Sequence, residues 1–424
     1  MNFSDSKPRS NLTEYFQIGR IHLATGLRVR STAYTLAEPL IRYLPDSPLA
    51  IIRHGEGIIG FGEVARLSAT GPNRIAELAR QWAELVGTAE VDDQVQLPGS
   101  GLVAFGSFAF SGDSASESVL IVPRTILGVR DGRGWITQIG DESATVAPAE
   151  AASARKIELL DGSPDPAGYE KAVSLAVDAI KQNHLEKVVL ARTVKAQVGA
   201  GFDLRPALAK LAENYPGCWT YAVDGTFGAS PELLVRVSHG QVATRVLAGT
   251  AARGETEAEN REVAERLRTS EKDLAEHKMA VDSVTGALAS LTARLDFDEK
   301  PFAVEFPNLW HLASDVHAVL AAGVSGLDLV AALHPTAAVA GTPRDAALDM
   351  IAKLEPFDRG RYAGPVGWIS SSGDCEWLIA LRGGQLRGDT ITAYAGCGVV
   401  AESVPAQELA ETNLKFRPVR EALG

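Results

Sequence analysis

Residues 395–416 read AGCGVVAESVPAQELAETNLKF, and the rest of the chain is best read outward from them. The first part is extended and flanked by glycines. The second is a helix opening near Pro405, with Ser403 in position to cap it. Three similar polar clusters lie upstream: LHPTAAVAGTPR from Leu333, RYAGPVGW from Arg361 and ALRGG from Ala380. Packing alone has little use for Tyr362, Arg382, Gly396, Gly398 and Lys415 interleaved with so many glycines. A site for a small dianion does, because guanidinium and ammonium groups neutralise carboxylates and glycine lets bare N–H groups approach them. An anionic metabolite is the expected ligand.

The chain has 424 residues, room for two or three average domains. With 46% hydrophobic and 22% charged residues it can bury a large core. A formal net charge of −12 argues against a nucleic-acid partner, which demands basic surface. An acidic protein that takes an anion must shield it locally, with a metal ion or clustered Arg and Lys. Cys218, Cys375 and Cys397 fit neither a disulfide framework nor a zinc spacing. The opening MNFSDSKPRSNLTEYF has no apolar core of a signal peptide, and no run of about 18 apolar residues occurs. A cytoplasmic protein with no membrane partner is expected.

Between residues 20 and 140, LAIIRHGEGIIGFGEVARL, GSGLVAFGSFAF, ESVLIVP and GWITQIG alternate apolar and polar residues between turn signals, as antiparallel hairpins do. PNRIAELARQWAELVG, from Pro72 to Gly87, has helical spacing. Residues 140–167 turn rich in Ala, Glu, Ser and Pro and read as a surface link between two halves. The second half opens with a helix, GYEKAVSLAVDAIKQN, and a strand, EKVVLARTVKAQV. LRPALAKLAENY reads as a further helix, and CWTYAVDG, ELLVRVSHG and QVATRVLAG as strands. A long helical region runs from Glu255 to about Leu295, interrupted near Thr269 and Ser270. Strands and helices without regular βαβ alternation indicate an α+β fold.

Two acidic pairs recur at helical spacing. SEKDLAEHKMAVDSV puts Asp273 and Glu276 on one helix face, and Glu408 and Glu411 repeat the arrangement. Spacing alone admits two readings: solvated faces with a Glu411–Lys415 ion pair, or paired hard-oxygen ligands for Mg²⁺. Lys187 precedes an apolar strand and is either a snorkelling edge residue or a base whose pKa burial lowers. Glu232, after Ser230-Pro231 at a strand entrance, would be an acid with a raised pKa if buried. His334 and His277 lie nearest these clusters in sequence, without a metal-binding spacing. Cys397 reads as a small packed residue, and Trp368 and Trp377 as core.

Taken in order, KVVLAR, SPELL, LAGTAARG, SEKDLAEH, LHPTAAVAGTPR, YAGPVGW, ALR and residues 395–416 resemble the chorismate-utilising enzymes. That family includes isochorismate, salicylate, anthranilate and aminodeoxychorismate synthases. The likeness covers about residues 165–417 strongly, and the N-terminal part, to about residue 150, more loosely through GFGEVAR and VAFGSFAF. It implies one large α+β unit over 1–424, two packed antiparallel sheets flanked by helices, in place of two separate halves.

The chain resembles the isochorismate synthases most. The resemblance implies that Lys187 activates a water to attack C2 of chorismate and Glu232 protonates the departing C4 hydroxyl. It makes Glu276 and Glu411 direct Mg²⁺ ligands, supported by Asp273 and Glu408. Gly249 and Thr250 would hold the ring carboxylate, and Tyr362 and Arg382 the enolpyruvyl carboxylate. Gly396, Gly398, Lys415, His334 and Ala338 would complete the pocket. Asp273 stands where several relatives carry Glu, and its shorter side chain reaches less far toward a metal. Relatives that eliminate pyruvate tend to have threonine at the position of Ala338, so alanine suggests that the reaction stops at isochorismate. Salicylate synthase, or a non-catalytic relative that binds chorismate and Mg²⁺, is the alternative. The resemblance leans to a monomer, with the product entering menaquinone or siderophore biosynthesis.

Overall fold

Strands of alternating polarity sort into two sheets, thirteen strands in one and ten in the other among the described residues. The computed structural model describes residues 26–140, 146–149, 157–254, 256–305 and 309–424. The opening MNFSDSKPRSNLTEYF and parts of the 140–167 link lie outside them. Among the described residues every pairing is antiparallel except Arg28–Ala33 with Glu90–Asp93. No helix among the described residues is long and apolar enough to cross a membrane.

Each sheet crosses the boundary that composition suggests. In the larger, Trp219–Val223 pairs with Leu49–Arg53. In the smaller, Pro365–Ser370 pairs with Val103–Ser107. Phe105, Phe108, Trp135, Tyr221, Trp368 and Trp377 are all but sealed from solvent in one core cluster that draws on both sheets. Each large apolar side chain so buried contributes about 1.5–3 kcal/mol. A Cβ on Gly106 would stand 2.3 Å from the Trp377 ring, so this strand must be bare where the indole lies. A second cluster, including Leu208, Leu211, Phe416, Val419 and Leu423, draws on the helices Arg205–Asn214 and Arg417–Leu423.

The helical region after residue 255 is two helices, Glu257–Thr269 and Glu271–Leu288, with Ser270 capping the second through Asp273 N–H. Its expected tail is instead a strand, Thr292–Phe297, which pairs with a long strand, Leu309–Leu320. That long strand, LWHLASDVHAVL, goes beyond the elements that local pattern marks, although Leu312, Val316 and Ala318 recur at even spacing and are buried.

The chain switches sheets twice at one place. It leaves the larger sheet at Ser230 and enters the smaller at Leu233. It returns from Ile379 to Gly383, with Arg382 at a left-handed φ of 51°. The crossings are tied together: Ile379 N–H donates to Glu232 O at 3.1 Å, Ala229 N–H to Arg382 O at 3.3 Å, and Ser230 Oγ to Ile379 O at 2.6 Å.

Candidate active site

Glu232 and Arg382 each lie in one of these crossings. Burial pushes the Glu232 carboxyl above the usual carboxylate range, and Arg382, Lys187 and Lys415 pull it the other way. No side chain among the described residues hydrogen-bonds that carboxyl. An acid so placed holds its proton better than one in water. Arg382 has no ion pair among the described residues. Glu376 is bound by Arg236, and Asp374 accepts from His239 N–H at 2.6 Å.

Lys187 begins the strand Lys187–Gln197, which pairs along its length with Thr390–Val399. Its side chain is 28% exposed, with Nζ 3.8 Å from Glu276 Oε1. Gly398 makes room for it, since a Cβ there would lie 2.8 Å from Lys187 Cε. Behind the strand is a buried ion pair, Glu355–Arg359, at 2.6 Å. Arg359 donates to Val189 O and Val339 O, and Glu355 accepts from Ala191 N–H. This brace joins the lysine strand to the 334–343 segment, and removing one member would strand a buried charge at a cost of about 3–5 kcal/mol.

The helix Pro405–Lys415 carries the second acidic pair. Its cap differs from expectation. Val404 is the N-cap residue, since Pro405 occupies the first helical turn and favours an extended residue before it. Ser403, one position too early, donates to Glu408 Oε1 at 2.8 Å instead. Lys415 does form the i,i+4 pair with Glu411, at 2.6 Å, and also donates to Gly396 O at 2.8 Å. Oxygens of Glu408 and Glu411 and the Cys397 sulfur lie within 4.8 Å of one another. Burial, and then the neighbouring Glu411, hold Glu408 above the usual range, while its Ser403 bond opposes them. Burial also acts against ionisation of Glu411, but Lys415 prevails and holds it below the usual range. The Cys397 thiol, pushed up to about 12 chiefly by burial, is a packed neutral group, as its sequence setting indicates.

Asp273 and Glu276 are not in that three-residue cluster; they sit in the first turns of the helix Glu271–Leu288. His277 fixes this helix, its two ring nitrogens bonding Ala248 O at 3.1 Å and Ser314 Oγ at 2.9 Å. Gly249, at φ 77°, forms a bulge in the Gln241–Ala252 strand, and a Cβ there would lie 3.3 Å from Asp273 Cβ. Opposite the bulge, His311 pairs with Thr250 in the ladder and bonds the Gly249 backbone. Burial lowers the His311 pKa to about 4, and Lys187, Lys415 and Arg382 act in the same direction. A neutral imidazole therefore shares the electrostatic neighbourhood of Glu232. Local sequence pattern marks neither His311 nor the strand Leu309–Leu320 that carries it.

The 334–343 segment runs against the lysine strand, Lys187 opposite Thr342. Ala338 is exposed. His334 stands apart from the converging groups: its ring is buried, Nε2 donates to Phe110 O at 2.9 Å, and Arg74, Arg344 and Arg359 are the charges acting on it. Its pKa falls to about 3 through burial, so the ring is neutral here. Tyr362 is 6% exposed and stacks on Tyr394, centroids 4.9 Å apart and planes 10° apart. A Cβ on Gly396 would lie 3.2 Å from the Tyr362 hydroxyl, which places that phenol beside the glycine strand.

A raised acid acted on by three cations, with acidic pairs on two helices, is an arrangement suited to acid–base chemistry on a small anion. The family model for chorismate binding enzymes matches residues 52–424, and the chain belongs to that family. The isochorismate synthase MenF of Bacillus subtilis (strain 168) is 30% identical over 401 residues, 87% of this chain and 85% of that protein. Among solved structures, a putative 2,3-dihydroxybenzoate-specific isochorismate synthase, DhbC from Bacillus anthracis, superposes with a TM-score of 0.72 at 31% identity. It covers 92% of this chain and 100% of that one. MenF, the menaquinone-specific isochorismate synthase from Escherichia coli, gives 0.76 at 25% identity over 94% and 95%.

Proposed function

We propose that this protein is a Mg²⁺-dependent isochorismate synthase. Water adds its hydroxyl at C2 of chorismate and the C4 hydroxyl leaves as water, so composition is unchanged. The observation that carries the reading is the Glu232 carboxyl, raised by burial and acted on by Lys187, Arg382 and Lys415. Such a displacement needs one group to take a proton from the attacking water and another to supply one to the leaving hydroxyl. Lys187 is the base and Glu232 the acid.

Glu276 and Glu411 would hold Mg²⁺, with Asp273 and Glu408 adjoining. The donor set suits a hard cation: oxygens of Glu408 and Glu411 lie within 4.8 Å of one another, and the charge of Glu411 helps to raise Glu408. When bound, the ion supplies positive charge against the ring carboxylate. The chain does the rest: Gly249 and Thr250 line that carboxylate's berth, Arg382 and Tyr362 take the enolpyruvyl carboxylate, and Lys415 adds charge beside Gly396 and Gly398. Ala338 offers a methyl group and no hydroxyl, which supports release of isochorismate over elimination of pyruvate. The same reading has the protein working as a cytoplasmic monomer.

Incubation with chorismate and Mg²⁺, with products separated by chromatography, tests the reading. Isochorismate is expected. Salicylate with equimolar pyruvate would move the protein to salicylate synthase, and anthranilate formed from ammonia would end the proposal.

Arg382 should also prove irreplaceable. Arg382→Ala is expected to raise the chorismate KM and lower kcat more than Tyr362→Phe does, because a charge-assisted bond outweighs a neutral one. Arg382→Lys should not rescue it, since an ammonium group cannot reproduce a planar two-pronged contact. Parent-like steady-state constants for Arg382→Ala would remove the residue from the site.

A further inference from the structure

We propose that Arg192 is a positioning residue that sets the Glu411–Lys415 turn against the lysine strand and so tunes divalent-cation affinity. The inference rests on the metal-dependent reading above. Arg192 lies five residues along the strand from Lys187 and is 1% exposed. Nε donates to Thr412 Oγ1 at 2.8 Å and Nη2 to Asn413 Oδ1 at 2.7 Å. The guanidinium carbon sits 5.0 Å from the centre of the Phe416 ring. All three partners fall in or next to the last turn of the helix Pro405–Lys415, two of them between Glu411 and Lys415. Thr412 is itself fully buried and passes its own proton to Leu409 O at 2.7 Å.

Stability alone does not account for this arginine. Nη1 is buried without a hydrogen bond, and its nearest acid, Asp161, is 3.7 Å away and more than half exposed. Burying a charge with incomplete pairing is costly, and apolar replacements of buried ionic groups are often neutral or stabilising. What the arrangement secures is orientation. A planar fork grips adjacent side chains at a helix C-terminus, where positive charge is favoured. It thereby fixes the azimuth and depth of the turn that presents Glu411.

The test titrates MgCl₂ alone into parent, Arg192→Lys and Asn413→Ala proteins by calorimetry, with thermal melting and steady-state kinetics in parallel. Arg192→Lys is expected to weaken Mg²⁺ binding about tenfold or more, as loss of a group supporting a metal ligand does. The Mg²⁺ half-saturation should rise by more than kcat falls. Asn413→Ala, at an exposed position, should weaken binding in the same direction by less, and it carries the test if Arg192→Lys does not fold. Parent-like Mg²⁺ affinity in Asn413→Ala and in any folded Arg192→Lys, whatever the melting temperature, would overturn the inference while leaving the function intact. A parent protein that neither binds Mg²⁺ nor turns over chorismate would overturn both.

Discussion

Lys187→Ala and Glu232→Gln should each lower chorismate turnover by about 10²–10⁴-fold, the usual share of a general acid or base. Far-ultraviolet circular dichroism should stay parental in both. Neither residue holds the fold together. Lys187 begins its strand with its side chain at a partly open end, and the Glu232 carboxyl has no hydrogen-bonding side chain among the described residues. Glu232→Gln should also stabilise the protein at neutral pH. A carboxyl whose folded pKa is raised binds protons more readily folded than unfolded. Stability is therefore lost as pH rises from the unfolded value, near 4.3, through the folded one. Glutamine mimics the protonated acid and escapes that loss. A higher melting temperature with little remaining turnover is the expected signature, an exchange common at active sites. Near-parental turnover in either variant removes the role given to that residue. A lower melting temperature for Glu232→Gln would contradict the cost of burying its ionised form.

Exhaustive treatment with EDTA should abolish turnover, and added Mg²⁺ should restore it. Glu411→Gln and Glu276→Gln should each raise the Mg²⁺ requirement sharply. In the structure each of these carboxylates is neutralised by a lysine, Glu276 by Lys187 and Glu411 by Lys415. Exposed pairs of this kind are worth only about 0.2–1 kcal/mol, so they shield the acids without locking them. Metal and dianionic substrate should bind cooperatively, each tightening the other by the same factor, because opposite charges meet in one site. Calorimetry with and without a non-reacting chorismate analogue measures that factor. An Mg²⁺ affinity indifferent to the analogue, or turnover that survives EDTA, would refute the metal assignment.

Local pattern was enough to mark the residues of the proposed site. Lys187 before an apolar run, Glu232 after Ser-Pro, and two acidic pairs at helical spacing are each visible as text, because strand alternation and helix periodicity depend only on neighbours in the chain. The order of eight motifs added the family, which the match over residues 52–424 shows. What text could not supply was which parts meet. Glu232 and Arg382 are 150 residues apart and touch electrostatically because the chain changes sheets at both. The His334 ring bonds Phe110 O, whereas His311, in a strand that local pattern does not mark, bonds the Gly249 backbone and feels the charges of Lys187, Lys415 and Arg382. Ser403, which looked like a helix cap, binds Glu408 instead. Sequence determined the fold class and the chemical inventory of this protein. Tertiary structure alone decided proton affinities and pairings, because burial and charge proximity are properties of space, and neighbours in space are set by the packing of the two sheets.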